Sequence, residues 1–495
     1  MAKIKCQSSK KIMRAYCTKN VAEMQRIFYV AEINPVLSRK IMLARSLQYI
    51  AARCNREKVI EMIKLAVIAD DITGANDTAV QFSKRNISSC VRIDFDQKKI
   101  LKETADVIVI DTDSRDIVPA AAYDRVKSVC EVLQDSGVKN IYKKVDSTLR
   151  GNLGAEIEAT ATVFQPEIVV IAPAFPSNKR VTVGGYHLLD QIPIELTEIA
   201  HAPKSPVDES RIVELLHKQT DSKIGLISLH VVMKGLEAVK QAIKQCLECG
   251  EKWIVFDAVL DEHLERIVKA TQGFHKVLWV GSAGLAEQLP DFYQWSAEQK
   301  NIGIAAKGPV LVIAGSVSKV TQAQISTALN LPNIELVKMN VANLIQDKEL
   351  EIRQCTIQAK KQLEQGKDIV IASAVDDCDV LAAVAAGKIC GLSSTEVSEQ
   401  TAVALGDIAI QLTDYQLAGM VLTGGDTAIH VCRSLGAEAI EILEEVAVGI
   451  PLGRLVGGCC NGLQVVTKAG AFGQEDAFVL SIQAMRKVDE KLNCI

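Results

Sequence analysis

From residue 64 onward, short and almost wholly apolar runs alternate with segments of helical periodicity. KLAVIAD, ADVIVID, NIYKKVD, EIVVIAPAF, KIGLISL, KWIVFDA and KVLWVGSAG read as strands, and GANDTAVQFSKR, AAAYDRVKSVCEVLQD and LGAEIEATATVF as helices between them. A strand that is apolar at every position is buried on both faces, as in a parallel sheet covered by helices. The rhythm breaks at DFYQWSAEQKNIGIAAKGP, residues 291–309, which is polar, contains glycine and reads as a linker. It resumes with PVLVIAGS, IELVKMN, DIVIASA, GMVLTGGD and LQVVTKAG. The pattern predicts an α/β protein of two α/β domains with mainly parallel sheets and chemistry in the interdomain cleft. The expected boundaries are 62–300 and 301–495, preceded by a basic helical extension, 1–61.

That extension alters the picture of charge. It carries 13 Lys and Arg against 4 Asp and Glu, in a chain of 495 residues whose net charge is −4. Three readings stay open: a stretch upstream of a native start at Met62, a packing or oligomerisation helix pair, or a basic nucleic-acid or targeting segment. Elsewhere the composition excludes more than it suggests. Aromatics are 4%, too few for the stacking platforms that bind single-stranded nucleic acid. The net charge gives no general attraction to DNA or anionic membrane. No apolar run reaches the ~18 residues of a spanning helix. The 14 cysteines are irregularly spaced, and Cys246-x-x-Cys249 has no second pair to complete a zinc site. A cytoplasmic protein with free thiols, no metal-ligand cluster and no nucleic-acid or membrane partner is expected, with a homodimer as the base-rate assembly.

In open α/β sheets, ligands bind beyond the carboxyl ends of the strands. The first strand is followed by Asp70-Asp71-Ile72-Thr73-Gly74-Ala75-Asn76-Asp77. One such residue suffices to cap a helix, and here several converge. A carboxylate in that position can take the proton of an attacking hydroxyl. NIYKKVD leads into Lys144, Asp146 and Arg150, and Arg150 is suited to grip a carboxylate through two parallel hydrogen bonds. A proline-stiffened loop, PAFPSNKR, then brings Arg180, followed by Gly184-Gly185-Tyr186-His187. In the second half the strand ends become rich in glycine and hydroxyls: Gly315-Ser316-Val317-Ser318, Thr423-Gly424-Gly425-Asp426-Thr427 and Lys468-Ala469-Gly470-Ala471-Phe472-Gly473. Glycines let backbone N–H groups face phosphate oxygens, and a helix N-terminus adds positive potential. Neither G-x-x-x-x-G-K-[ST] nor a strand-end G-x-G-x-x-G is present.

Together, IADDITGANDTAVQF, KKVDSTLRGN, APAFPSNKRVTVGGYHL, LTGGDTA and KAGAFG resemble the four-carbon acid sugar kinases from about Lys64 to the C-terminus. The resemblance implies a sugar-acid-binding first domain, a nucleotide-binding second domain, ATP and Mg²⁺ as cofactors, and phosphorylation of the terminal hydroxyl of a tetronate. The DSTLRGN and VGGYH forms look more like the threonate and erythronate kinases than the 3-oxo-tetronate kinases. Carried over, the resemblance implies substrate contacts from Asp70, Asp71 and Arg150, which the strand-end reading also makes the catalytic candidates. Asp77, Lys144, Asp146, Arg180 and His187 follow as substrate contacts. Ser316, Ser318, Gly424, Gly425, Asp426, Thr427, Gly470 and Gly473 follow as nucleotide contacts. Lys179 departs from an expected glycine, Val181 from an expected threonine and Ala202 from an expected aspartate. Three alternatives are weighed: a 3-oxo-tetronate kinase, a non-enzymatic sugar-acid sensor, and a nicotinamide-dependent hydroxy-acid dehydrogenase, which lacks its dinucleotide fingerprint.

Overall fold

The computed structural model describes residues 63–93, 104–202, 204–295 and 307–486. The basic extension, Met62 and most of the expected linker lie outside the described residues. Eleven strands precede residue 300: β1 Leu65–Ala69, β2 Ser89–Arg92, β3 Val107–Asp111, β4 Ile141–Lys144, β5 Ile168–Ala172, β6 Arg180–Val183, β7 Tyr186–Leu189, β8 Ile192–Pro193, β9 Ile224–Ile227, β10 Trp253–Phe256 and β11 Val277–Gly281. Seven follow: β12 Val310–Ala314, β13 Ile334–Lys338, β14 Asp368–Ala372, β15 Gly419–Thr423, β16 Ala439–Ala447, β17 Ile450–Val456 and β18 Gln464–Lys468.

All but β6, β7 and β8 join one sheet of 15 strands, in the order β13-β14-β12-β15-β18-β17-β16-β2-β3-β1-β4-β11-β5-β10-β9. The expected α/β class stands, with one difference: the two halves share a sheet. LAVIA of β1, IVVIA of β5 and VLVIA of β12 are buried at every position. Helices cover both faces, which is why these strands show no alternation. The seam is antiparallel. β16 pairs with β2, Ala439 opposite Arg92 and Ile442 opposite Ser89, and β17 returns antiparallel to β18.

The sheet order fixes where ligands can bind. β1 lies between β3 and β4, and β12 between β14 and β15. The chain leaves each of these strands first to one side and later to the other. The carboxyl ends of β1/β4 and of β12/β15 are therefore topological switch points, where crevices open. Loops from the two crevices meet. The strands β6–β8 form a separate small antiparallel sheet, anchored where the Gly184 and Gly185 N–H groups donate to the buried Asp257 carboxylate at 2.6 and 2.8 Å. Among the described residues no single helix is long and apolar enough to cross a membrane.

Candidate active site

A cleft of about 700 Å³ lies between the halves, walled by Asp70, Asp71 and Asp146 on one side and by Gly425, Asp426 and Gly470 on the other. Asp71 is the N-cap of the helix Ile72–Ser83, its Oδ1 accepting the Gly74 N–H at 3.0 Å while Oδ2 accepts the Thr73 hydroxyl at 2.5 Å. The capping carboxylate thus lines the cleft. A Cβ placed on Gly425 would stand 3.4 Å from Asp71 Oδ2, so the glycine loop after β15 faces Asp71 directly.

The residue that organises this wall is Arg115, which sequence reasoning missed. It follows β3 in ADVIVIDTDSRD, a strand end whose loop carries the available signal: an arginine among acids and hydroxyls. Its Nε and Nη2 donate to the two Asp70 oxygens at 2.8 and 2.9 Å, and Nη2 also donates to Asp71 Oδ1 at 2.6 Å. Burial alone would push the Asp70 carboxyl up, but the Arg115 guanidinium overrides it and the net shift is downward. Asp146 is likewise buried, and Arg150 and Arg115 hold it well below the usual carboxylate range. Arg150 reaches Asp146 through Nε at 2.7 Å and Nη2 at 3.3 Å. The Arg115 loop is itself braced from behind. Ser114 donates to Glu156 at 2.8 Å, and Glu156 pairs with the fully buried Lys143 at 2.7 Å.

Asp70, Asp71, Asp146, Arg150 and Arg180 come together at the cleft wall. Asp77, Lys144 and His187 stand behind it. Lys144 is buried and donates to the Val145 carbonyl at 2.8 Å. Asp77 is buried on the first helix with its Oδ1 unpartnered, and burial pushes its carboxyl up to about 7. His187 Nε2 lies 2.9 Å from the Ser147 carbonyl and Nδ1 lies 3.1 Å from the Thr182 hydroxyl. A neutral ring donating through Nε2 satisfies both contacts, tying the small sheet to the Asp146 loop. Arg180 spans the halves, its guanidinium 5.2 Å from the centre of the Phe472 ring. Lys179, at the rim, has φ 59, the left-handed region that glycine occupies without strain. The glycine that the family resemblance implies at this position would adopt that conformation freely.

His187 carries a testable consequence. Burial lowers its pKa from 6.5 to about 4, so the unfolded chain takes up a proton that the fold refuses. Stability is expected to fall as pH drops from 6.5 toward about 4, by roughly 3 kcal/mol over the window. His187→Gln should flatten that part of the melting-temperature profile. An identical profile in the variant would remove His187 as its source.

Across the cleft, three glycine-bearing loops pack into one unit. Gly470 leaves no room for a side chain, since a Cβ would fall 2.1 Å from Ser316 Oγ. Its carbonyl accepts the Ser318 hydroxyl at 2.8 Å and the Thr321 hydroxyl at 3.0 Å. Gly424 has φ 100 and donates its N–H to the Lys468 carbonyl at 3.0 Å. Thr427 is buried under Gly315, where a Cβ would meet its Oγ1 at 2.0 Å. Asp426 opens the helix Gly425–Ser434 and pairs with Lys204 of the first half at 2.8 Å. Lys84–Glu445 and Arg433–Asp113 also cross between the halves. This crevice fits an anionic nucleotide: close-packed glycines such as Gly315 and Gly470, backbone N–H groups at a helix start, and the buried Lys468, which forms no ion pair among the described residues.

Comparison with known proteins agrees with this division. A family model described as a sugar-binding N-terminal domain matches residues 65–289, and one described as a nucleotide-binding C-terminal domain matches residues 311–478. The chain is 35% identical to a D-threonate kinase of Salmonella typhimurium, over 83% of this chain and 96% of the relative. It is 30% identical to a D-erythronate kinase of Heliobacterium modesticaldum, over 84% of this chain and 95% of the relative. A 3-oxo-tetronate kinase of Pseudomonas savastanoi is 27% identical, over 85% and 97%. Two solved structures share the fold. A Haemophilus influenzae protein has TM-score 0.66 and 24% identity over 85% of this chain and all of its own. A Salmonella typhimurium protein has TM-score 0.73 and 22% identity over 86% of this chain and all of its own.

Proposed function

The chain belongs to the four-carbon acid sugar kinase family, and from that premise we propose that it transfers the γ-phosphoryl group of ATP to the terminal hydroxyl of D-threonate or D-erythronate, giving the 4-phosphate. It is a phosphotransferase with an alcohol group as acceptor. A nicotinamide-dependent dehydrogenase does not fit a member of this family. The observation that carries the reading is the approach of Asp71 to the Gly425 loop, which sets a proton acceptor against a nucleotide crevice. The threonate and erythronate choice rests on the 35% and 30% identities, against 27% for the 3-oxo-tetronate relative.

Phosphoryl transfer asks a protein mainly for positioning and for neutralising charge. Asp71 accepts the proton of the attacking hydroxyl, held in orientation by Arg115, Thr73 and the Gly74 N–H. Arg150 and Arg180 lie at the cleft wall as partners for the substrate carboxylate. Ser316, Ser318, Gly424, Gly425, Thr427, Gly470 and Gly473 are assigned to the ATP phosphates. Asp426 is assigned to Mg²⁺. Among the described residues no group of three or more His, Cys, Asp or Glu is placed to hold a metal. Magnesium keeps several waters and takes one or two carboxylates beside phosphate oxygens, so a single carboxylate from this chain is enough. When bound, the ion screens the phosphate charge that builds up during transfer.

The test is ATP consumption with Mg²⁺ across D- and L-threonate, D- and L-erythronate and 3-oxo-tetronates, with acid-free controls. Turnover is expected with D-threonate or D-erythronate. Preference for a 3-oxo acid would replace the substrate assignment. Thermal stabilisation by an acid with no ATP consumption on any of them would favour a sensor.

A further inference from the structure

Lys468 ends β18 and is 1% exposed. Its ammonium donates to Thr423 Oγ1 at 3.0 Å, to the Ala469 carbonyl at 2.9 Å and to the Gly470 carbonyl at 3.2 Å. Three acceptors match the three protons of an ammonium, whereas a neutral amine offers two donors. The acceptors belong to two of the glycine loops, and Gly470 O is shared with Ser318 and Thr321 of the third. The surrounding charges are committed elsewhere. Asp426, at the start of the neighbouring helix, pairs with Lys204. Lys319 pairs with Asp377, Arg454 of β17 with Glu441, and Arg486 of the helix Ala477–Arg486 with Asp368. That last helix offers Lys468 the face of Phe478, 5.8 Å away, and Glu475 and Asp476 before it are exposed.

A buried cation with no neutralising carboxylate is costly unless a ligand supplies the countercharge. We propose that Lys468 is the cationic site beneath the nucleotide crevice, a positioning residue that locks the three glycine loops and whose ammonium form takes the polyphosphate of ATP as its countercharge. This rests on the nucleotide assignment made above and adds the residue that sets its electrostatics. Burial alone pulls the lysine down from 10.5 to about 7. Phosphates beside it favour the ammonium and raise it again. At pH 8, nucleotide binding is therefore coupled to proton uptake, and affinity falls as pH rises through about 7.

The experiment is calorimetric titration of the whole protein with MgATP near pH 8, in two buffers of different ionisation enthalpy. Wild type and Lys468→Met are compared, with KM for ATP and for the acid measured in parallel. Wild type is expected to take up a substantial fraction of a proton, and Lys468→Met close to none. The variant should lose at least about tenfold in ATP affinity, as expected for one charge near phosphates at an effective dielectric of about 20. Its KM for the acid should stay within about twofold, below the threshold of a lost contact. A purely structural lysine would lower the melting temperature and move both KM values together, and that result overturns the proposal. So does wild type binding MgATP with no proton uptake, which decides the matter even where the variant fails to fold. Failure of wild type to bind MgATP at all overturns the nucleotide assignment and this proposal with it.

Discussion

Asp71→Asn is expected to lower kcat by about 10²–10⁴-fold while ATP still raises the melting temperature as it does in wild type. The substitution isolates chemistry from folding. Asparagine caps a helix as well as aspartate does, so the bond from Gly74 survives. With the amide oxygen in the Oδ1 position Arg115 Nη2 keeps its acceptor, and the Thr73 hydroxyl turns to accept from the amide N–H at the Oδ2 position. Proton acceptance is lost, together with one of the negative charges facing Arg115. Asp70 is the poorer candidate for that role, because both its oxygens are held by Arg115, which lowers its affinity for a proton. Asp70→Asn should therefore disturb Arg115 and stability more than it disturbs proton transfer. An unchanged kcat in Asp71→Asn would sink the base assignment. A collapse in Asp70→Asn alone would move the role to its neighbour.

The sheet order gives these assignments their context, and much of it was legible. Each strand predicted from an apolar run is present; the central ones are buried on both faces, which leaves an uninterrupted signature, while the edge strands β9 and β13 are only partly buried. What escaped has the opposite character. β16 reads AIEILEEVA, and its second half is only partly buried, so acids interrupt the pattern in the hairpin that welds the halves together. β2 is four residues, SCVR, with a polar residue at each end. Hence the expectation of two separate sheets gave way to one.

The site divided in the same way. Motif density drew attention to the carboxylates after β1 and β4, and Asp70, Asp71 and Asp146 lie at the cleft wall. It could not separate wall from support. Lys144 and His187 sit in the same dense motifs as Arg150 and Arg180, but their polar atoms are taken by the carbonyls of Val145 and Ser147. Arg115 was lost for the converse reason. Its partners are 44 and 45 residues away in sequence, so its importance exists only once β3 is laid beside β1.

Arg115→Met should therefore be the most damaging single change at the wall that leaves the chain length and side-chain bulk nearly intact. Removing one partner from a buried ionic cluster costs about 3–5 kcal/mol, because the remaining charges stay buried without compensation. The sign of its pH dependence separates this account from simple loss of packing. In wild type, Asp70 and Asp146 titrate below their ordinary value of 3.8, Asp146 far below. Their contribution is complete above that value and is lost only as pH falls through the depressed folded values. Without Arg115, burial dominates at Asp70 and pushes its carboxyl up, with Lys143 and Lys144 left as weaker opposition. The variant then regains stability as pH falls from 7 to 5, because protonation relieves the uncompensated charge, while wild type gains nothing from these groups over that range. The melting-temperature gap between the two should be widest at pH 7 and narrower at pH 5. Asp146 limits the narrowing, since Arg150 still holds it. A gap of equal size at both pH values would mean that Arg115 acts by filling space. Full activity in the variant would mean that Asp71 keeps its orientation without Arg115, and the wall would have to be reassigned around Thr73 and the Gly74 N–H alone.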